Sequence, residues 1–121
     1  NRAWVASARR ASYAVAALVT GAFLVLEIAF LRTDGCKLPS ITIAINKAFS
    51  AARECRPSRA IGEESRSAPF PMTNFGDLRY TAWGGGVPIL YQGVVVGAVG
   101  VSSLPEEEDM QLAALGAATI G

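Results

Sequence analysis

Three side chains in this sequence have the chemistry to act as acid, base or electrostatic stabiliser on a small molecule: Glu27, Asp34 and Lys47. A carboxylate or ammonium does such work when burial or a neighbouring charge moves its proton affinity, so each depends on what holds it. They carry this weight because the chain has no histidine. That absence removes the commonest general base, the commonest metal ligand and the usual proximal haem ligand together. Serine–histidine catalysis, histidine-bound zinc and histidine-ligated haem are excluded unless another chain supplies the imidazole, and no metal site is expected. Cys36 and Cys55 have eighteen residues between them and no second cysteine nearby, so they form neither a CxxC pair nor a zinc ribbon. They read first as two small buried thiols in a reducing cytoplasm, with a thiolate ligand or nucleophile as the alternative.

Two further clusters invite a functional reading. Gly84-Gly85-Gly86 resembles a phosphate cradle in composition, but it leads into a Pro-containing strand and neither GxGxxG nor a GKS sequence is present. Glu106 to Asp109 are four consecutive acids, which on a helix point in different directions, so complementation of the helix dipole explains them better than a metal.

The elements that must position these groups come next. A length of 121 residues sets a single domain, residues 1–121. With 51% hydrophobic and 17% charged residues the chain is not disordered. A net charge of +1 without a basic stripe argues against nucleic acid. The apolar excess lies in residues 11–30, whose only charge is Glu27. By length this run could cross a bilayer. It also divides at Thr20-Gly21-Ala22 into two strands, 13–19 and 23–31, of a buried hairpin, which an oligomer interface would help to cover. Residues 1–11 read as the end of an amphipathic helix, with Trp4 and Ala8 on one side and Arg2, Arg9 and Arg10 elsewhere.

The spacing of Ile41, Ile45, Ala48, Ala52 and Cys55 predicts a helix with Ser40 as N-cap and Pro57 beyond its end. On its other face Lys47 and Ser50 are i, i+3 neighbours, either converging on one ligand or part of a solvated polar stripe. A short helix is expected over 59–66, then a long loop to 82. Val87 to Tyr91 and Val94 to Val101 form a second hairpin around Gln92-Gly93. Gly97 and Gly100 within it imply that something large packs against that backbone. A last helix opens at Pro105 and runs through Leu112, Leu115 and Ile120.

RTDG (32–35), NKAFSAA (46–52), GGGVPILYQGVVVGAVGVSS (84–103) and PEEEDMQLAALG (105–116) resemble, in order and spacing, the motifs of the GlcG/HbpS family, which includes the C-terminal domain of PduO-type proteins. The family pattern runs R-x-D-G-A, K-A-x-T-A, G-G-x-P-I, a hairpin, V-G-A-x-G-V-S-G and x-x-D-x-x-x-A. Here Cys36, Ser50 and Ser103 replace the usual Ala, Thr and Gly. The resemblance implies an α+β, profilin-like fold: a five-stranded antiparallel sheet flanked by helices, assembled into homo-oligomers, without a membrane span. It therefore favours the hairpin for residues 11–30.

The resemblance further implies a cytoplasmic small-molecule-binding protein whose ligand is haem or another planar aromatic or tetrapyrrole molecule. Its pocket would involve Cys36, Ser50, Phe75, Trp83, Gly85, Gly86 and Pro88, near the helix bearing Lys47. With no histidine, an iron would have to find Cys36, Cys55, Met72, Tyr80, Tyr91 or oxygen donors, with Trp83 and Phe75 enclosing the ring. The alternative is a cofactor-independent isomerase, lyase or cyclase acting on a small organic metabolite through Lys47, Asp34 and Glu27. A third reading is a structural or sensor-accessory oligomer without chemistry.

Overall fold

The computed structural model describes residues 14–20, 25–67, 69 and 71–120, with side chains from Ala29 onward. The apolar run is a hairpin: β1, Ala14–Thr20, pairs antiparallel with β2, Val25–Arg32, from Ala14 opposite Arg32 to Thr20 opposite Val25. No helix among the described residues is long and apolar enough to cross a membrane. The expected helix over residues 1–11, Gly21-Ala22 of the hairpin turn and the side chain of Glu27 lie outside the described residues.

Helix α1 spans Pro39–Glu54. Ser40 is not its cap: the helix starts at Pro39, with Leu38 at the N-cap and no side-chain capping bond. Proline is tolerated there because the first-turn amides have no intrahelical acceptor. At the other end Cys55 adopts φ 55°, its N–H bonded to the carbonyl of Ala51, and Pro57 prevents continuation. That position leaves Cys55 exposed while Cys36 is buried, so only one of the two expected buried thiols is buried. The polar stripe is corrected as well, since Lys47 and Ser50 are 2% and 0% exposed.

Helix α2, Ser58–Ser67, matches the short helix expected, and the loop after it contains a single 3-10 turn, Met72–Phe75. Strands β3, Gly86–Tyr91, and β4, Val94–Ser102, form the second hairpin, and α3 covers Glu106–Ile120. Strand β4 also pairs with β1, giving one antiparallel sheet in the order β2-β1-β4-β3. The fold is α+β. The resemblance implied five strands, and the sheet has four among the described residues.

Alternation along β4 divides the core between the two faces of the sheet. Ala98 joins Cys36, Ala44, Ala48, Phe49, Ala51 and Ala52 under α1. Val99 and Val101 join Ile89, Leu112, Ala113 and Ala117 under α3. The large partner implied by the glycines of β4 is α1 itself: a Cβ at Gly100 would strike the carbonyl of Ala44 and come within 2.7 Å of the Ala48 nitrogen. The helix therefore lies directly on the strand.

Candidate functional site

Close packing carries Lys47 to the end of the sheet where β3 begins. There Gly85, at φ +117°, brings the main chain past the ammonium. A Cβ at Gly85 would lie 3.0 Å from Lys47 Nζ, 3.0 Å from the Asp109 Cβ and 2.7 Å from the carbonyl oxygen of Val101. Only glycine leaves space for what occupies this point: Lys47 Nζ donates to Asp109 Oδ2 at 2.8 Å and to the Val101 carbonyl at 2.9 Å. Both charged side chains are almost fully buried, at 3% and 4% exposure. The second Asp109 oxygen accepts from the Leu104 amide at 3.1 Å. Burial pushes the Asp109 carboxyl above its ordinary value, against the opposing pull of Lys47 and of the Leu104 amide.

A cleft of about 350 Å³ opens over this pair, lined by Lys37, Ser40, Lys47, Trp83, Ser102, Ser103, Leu104, Glu106 and Asp109. Trp83 is 58% exposed at its side. Ser40, in the first turn of α1, and Ser102, at the end of β4, are each 5% exposed. Glu106 accepts from the Gly84 amide at 2.6 Å and pairs with Arg59 at 3.1 Å.

The glycine turn is held by a serine outside the cleft lining. Ser58 Oγ donates to the Trp83 carbonyl at 2.8 Å and accepts from the Gly86 amide at 2.9 Å, and the side chain is fully buried. Ser58→Ala is expected to lower the unfolding free energy by about 1–3 kcal/mol by orphaning the buried Gly86 amide and releasing the part-buried Trp83 carbonyl, read from urea denaturation. An unchanged midpoint would show that the turn is held by its neighbours alone.

Of the residues expected at the site, Lys47 and Trp83 line the cleft, with Gly85 and Gly86 as the backbone beside them. Pro88 is half-buried in β3, opposite Ala98. Ser50 is taken up by main chain, donating to the carbonyls of Asn46 and Arg79 and accepting from the Thr81 amide. Phe75 stacks on Tyr80 at 4.3 Å, and Tyr80 meets Phe49 edge-on at 5.6 Å, an aromatic group outside the cleft lining. Cys36 belongs to the core under α1, its thiol directed to the Lys37 carbonyl. Asp34 lies exposed in the turn after β2, so it is not brought to Lys47.

The cleft lacks the groups named as substitutes for a histidine on iron. Cys36, Cys55, Met72, Tyr80 and Tyr91 all fall outside its lining, and the Tyr80 hydroxyl is bonded to Glu54. Lys47 is engaged by Asp109 and the Val101 carbonyl. These residues fit a polar organic molecule with a flat portion against Trp83. They do not fit axial ligation of an iron.

Sequence reasoning missed Asp109, Ser40 and Ser102 as site residues, and also Ser58. For Asp109 a signal was present: it shares the buried stripe of α3 with Leu112, Ala113 and Ala117, spaced i, i+3, i+4 and i+8.

The fold has counterparts among known proteins. A Citrobacter freundii protein of the dhaT-dhaS intergenic region, itself uncharacterised, is 31% identical over 84 residues, 68% of this chain; the match spans 59% of that protein's length. Streptomyces reticuli HbpS, solved as a double mutant, superposes with TM-score 0.82 at 29% identity, covering 99% of this chain and 80% of its own. PduOC, solved as a haem complex, superposes with TM-score 0.82 at 22% identity, covering 99% of this chain and 88% of its own, which shows the shared fold. The family model described as haem degrading protein HbpS-like matches residues 2–118. A match from end to end, on a sheet and helices that superpose on HbpS, makes this chain a member of the HbpS-like family.

Proposed function

We propose that the protein binds a small, planar organic molecule in the cleft over Lys47 and Asp109. The observation that carries this reading is the cleft itself: about 350 Å³ of space ending on an almost fully buried ammonium–carboxylate pair, with an exposed tryptophan at its side. The haem bound by PduOC supports a planar ligand in this fold. The side chains lining the cleft would hold a tetrapyrrole by its face and its acidic groups, not by its metal. A profilin-like scaffold completed to five strands and assembly into homo-oligomers belong to the same proposal. The exposed Leu90, Tyr91 and Val94 at the β3–β4 hairpin support the latter.

The enzymatic alternative gains no observation in its favour. Lys47 is the one of its three proposed groups that reaches the cleft among the described side chains.

Titration with haemin and, separately, with metal-free protoporphyrin IX tests the reading through tryptophan fluorescence. In a Trp4→Phe background, which leaves Trp83 as the one tryptophan, both are expected to quench emission with similar affinity, and Trp83→Ala to weaken binding followed by the porphyrin absorbance. Much tighter binding of haemin would reveal an iron ligand that the cleft does not show. Binding of neither, with no response at Trp83, would overturn the proposal.

A further inference from the structure

We infer that the floor of the cleft is a subsite for an uncharged oxygen of the ligand, a carbonyl or a hydroxyl, and that its rim takes the ligand's carboxylate. The ligand class is then a small oxo- or hydroxy-acid with a flat body. This inference rests on the small-molecule reading above and specifies its chemistry.

Three polar groups of the cleft lining have bonding capacity to spare. Ser40 and Ser102 line the cleft, each residue is 5% exposed, and neither hydroxyl has a hydrogen-bond partner among the described residues, so each is open to the cleft alone. Hydroxyls placed in so enclosed a cleft are paired by water or by a ligand that enters it. Lys47 has three ammonium protons and donates two, to Asp109 and to the Val101 carbonyl; the third has no acceptor among the described residues. Two hydroxyls and one N–H of the lining are therefore available to an oxygen of the ligand.

Charge decides which kind of oxygen it is. The floor already holds one cation and one anion in direct contact. A second carboxylate there would be repelled by Asp109 in a poorly screened setting, whereas a carbonyl or hydroxyl accepts the same hydrogen bonds without that repulsion. The rim differs. Lys37 is exposed and has no ion pair among the described residues. The other acid of the lining, Glu106, is matched by Arg59 and the Gly84 amide. Trp83 supplies the flat wall between floor and rim.

Three benzene derivatives of one shape separate these features: 4-acetylbenzoate, 4-isopropylbenzoate, which lacks the oxygen for the floor, and 4-acetylbenzamide, which lacks the charge. Binding is read by calorimetry on the intact chain. 4-Acetylbenzoate is expected to bind about tenfold more tightly than either analogue, since a site built to hydrogen-bond a group discriminates against its absence. Ser40→Ala and Ser102→Ala should each abolish most of the preference over 4-isopropylbenzoate, and Lys37→Ala the preference over 4-acetylbenzamide. Neither serine variant is expected to lose thermal stability, because each removes an unpartnered buried hydroxyl. Equal binding of the acetyl and isopropyl acids, unchanged in the serine variants, would overturn the floor assignment while leaving the cleft as a binding site. Binding of protoporphyrin IX without any of the three would overturn the acid class alone. Binding of none of the four would overturn the cleft reading itself.

Discussion

Lys47→Ala is expected to cost about 3–5 kcal/mol of unfolding free energy, because it leaves the Asp109 carboxylate buried and without its counter-charge. Asp109→Ala should cost a similar amount for the converse reason. The double substitution Lys47→Met with Asp109→Leu is expected to recover most of that loss, since well-packed apolar side chains replace a buried pair with little net penalty. Urea denaturation of wild type, Lys47→Met, Asp109→Leu and the double variant forms the cycle that measures the coupling. Additive single losses, without recovery in the double variant, would show that the two side chains do not depend on each other.

The same pair sets a pH dependence whose sign can be stated. Burial raises the Asp109 carboxyl above 3.8 in the folded protein. In the window between 3.8 and that raised value, the native state binds a proton that the unfolded chain does not, so stability from this group rises as pH falls. Asp77 works in the opposite direction: Arg79 holds it down at about 2, so its contribution is present above 3.8 and lost as pH falls through about 2. Asp77 is common to wild type and variant, and subtracting the stability profile of Asp109→Asn isolates Asp109. Coincident profiles would mean that burial does not raise this carboxyl.

Gly100→Ala should be the most damaging of the single methyl additions on the sheet. The new carbon would meet the Ala44 carbonyl, the Ala48 nitrogen at 2.7 Å and the Ala48 Cβ at 3.0 Å. The first two are backbone atoms of α1, so no rotamer change relieves the contact and the helix must move. We expect a loss of about 3 kcal/mol, the upper part of the range for overpacked cores, seen as a fall in Tm of roughly 10 °C for a domain of this size. Because α1 also carries Lys47 and Ser40, ligand binding should weaken in parallel. An unchanged Tm would show that the helix lies farther from the strand than its register places it.

The elements were more legible than the site. Hydrophobic runs, Pro57 beyond the end of α1 and the Gln92-Gly93 turn are local signals, and they located both hairpins and the three described helices. The site depended on what the elements bring together. Ser50 and Lys47 look equivalent on a helical wheel, yet Ser50 bonds to the chain at Arg79 and Thr81, while Lys47 reaches a residue sixty-two positions away. Asp109 looked like one of four acids complementing a dipole, and only its place on the buried stripe of α3 distinguishes it from its neighbours. Asp34, by contrast, sits in a recognisable turn motif, and the turn leaves it exposed.

The strand order β2-β1-β4-β3 also constrains how the protein can assemble during synthesis. Each hairpin closes locally, but β1 obtains its second neighbour only when β4, more than seventy residues downstream, has emerged. Until then the most apolar hairpin of the chain presents an open edge, the kind of surface that pairs with strands of other molecules. Growth of the chain through α1 covers one face of that hairpin but not its edge. Synthesis that stalls before residue 94 would therefore release a species prone to aggregate, and the last strand acts as the clasp that ends this exposure.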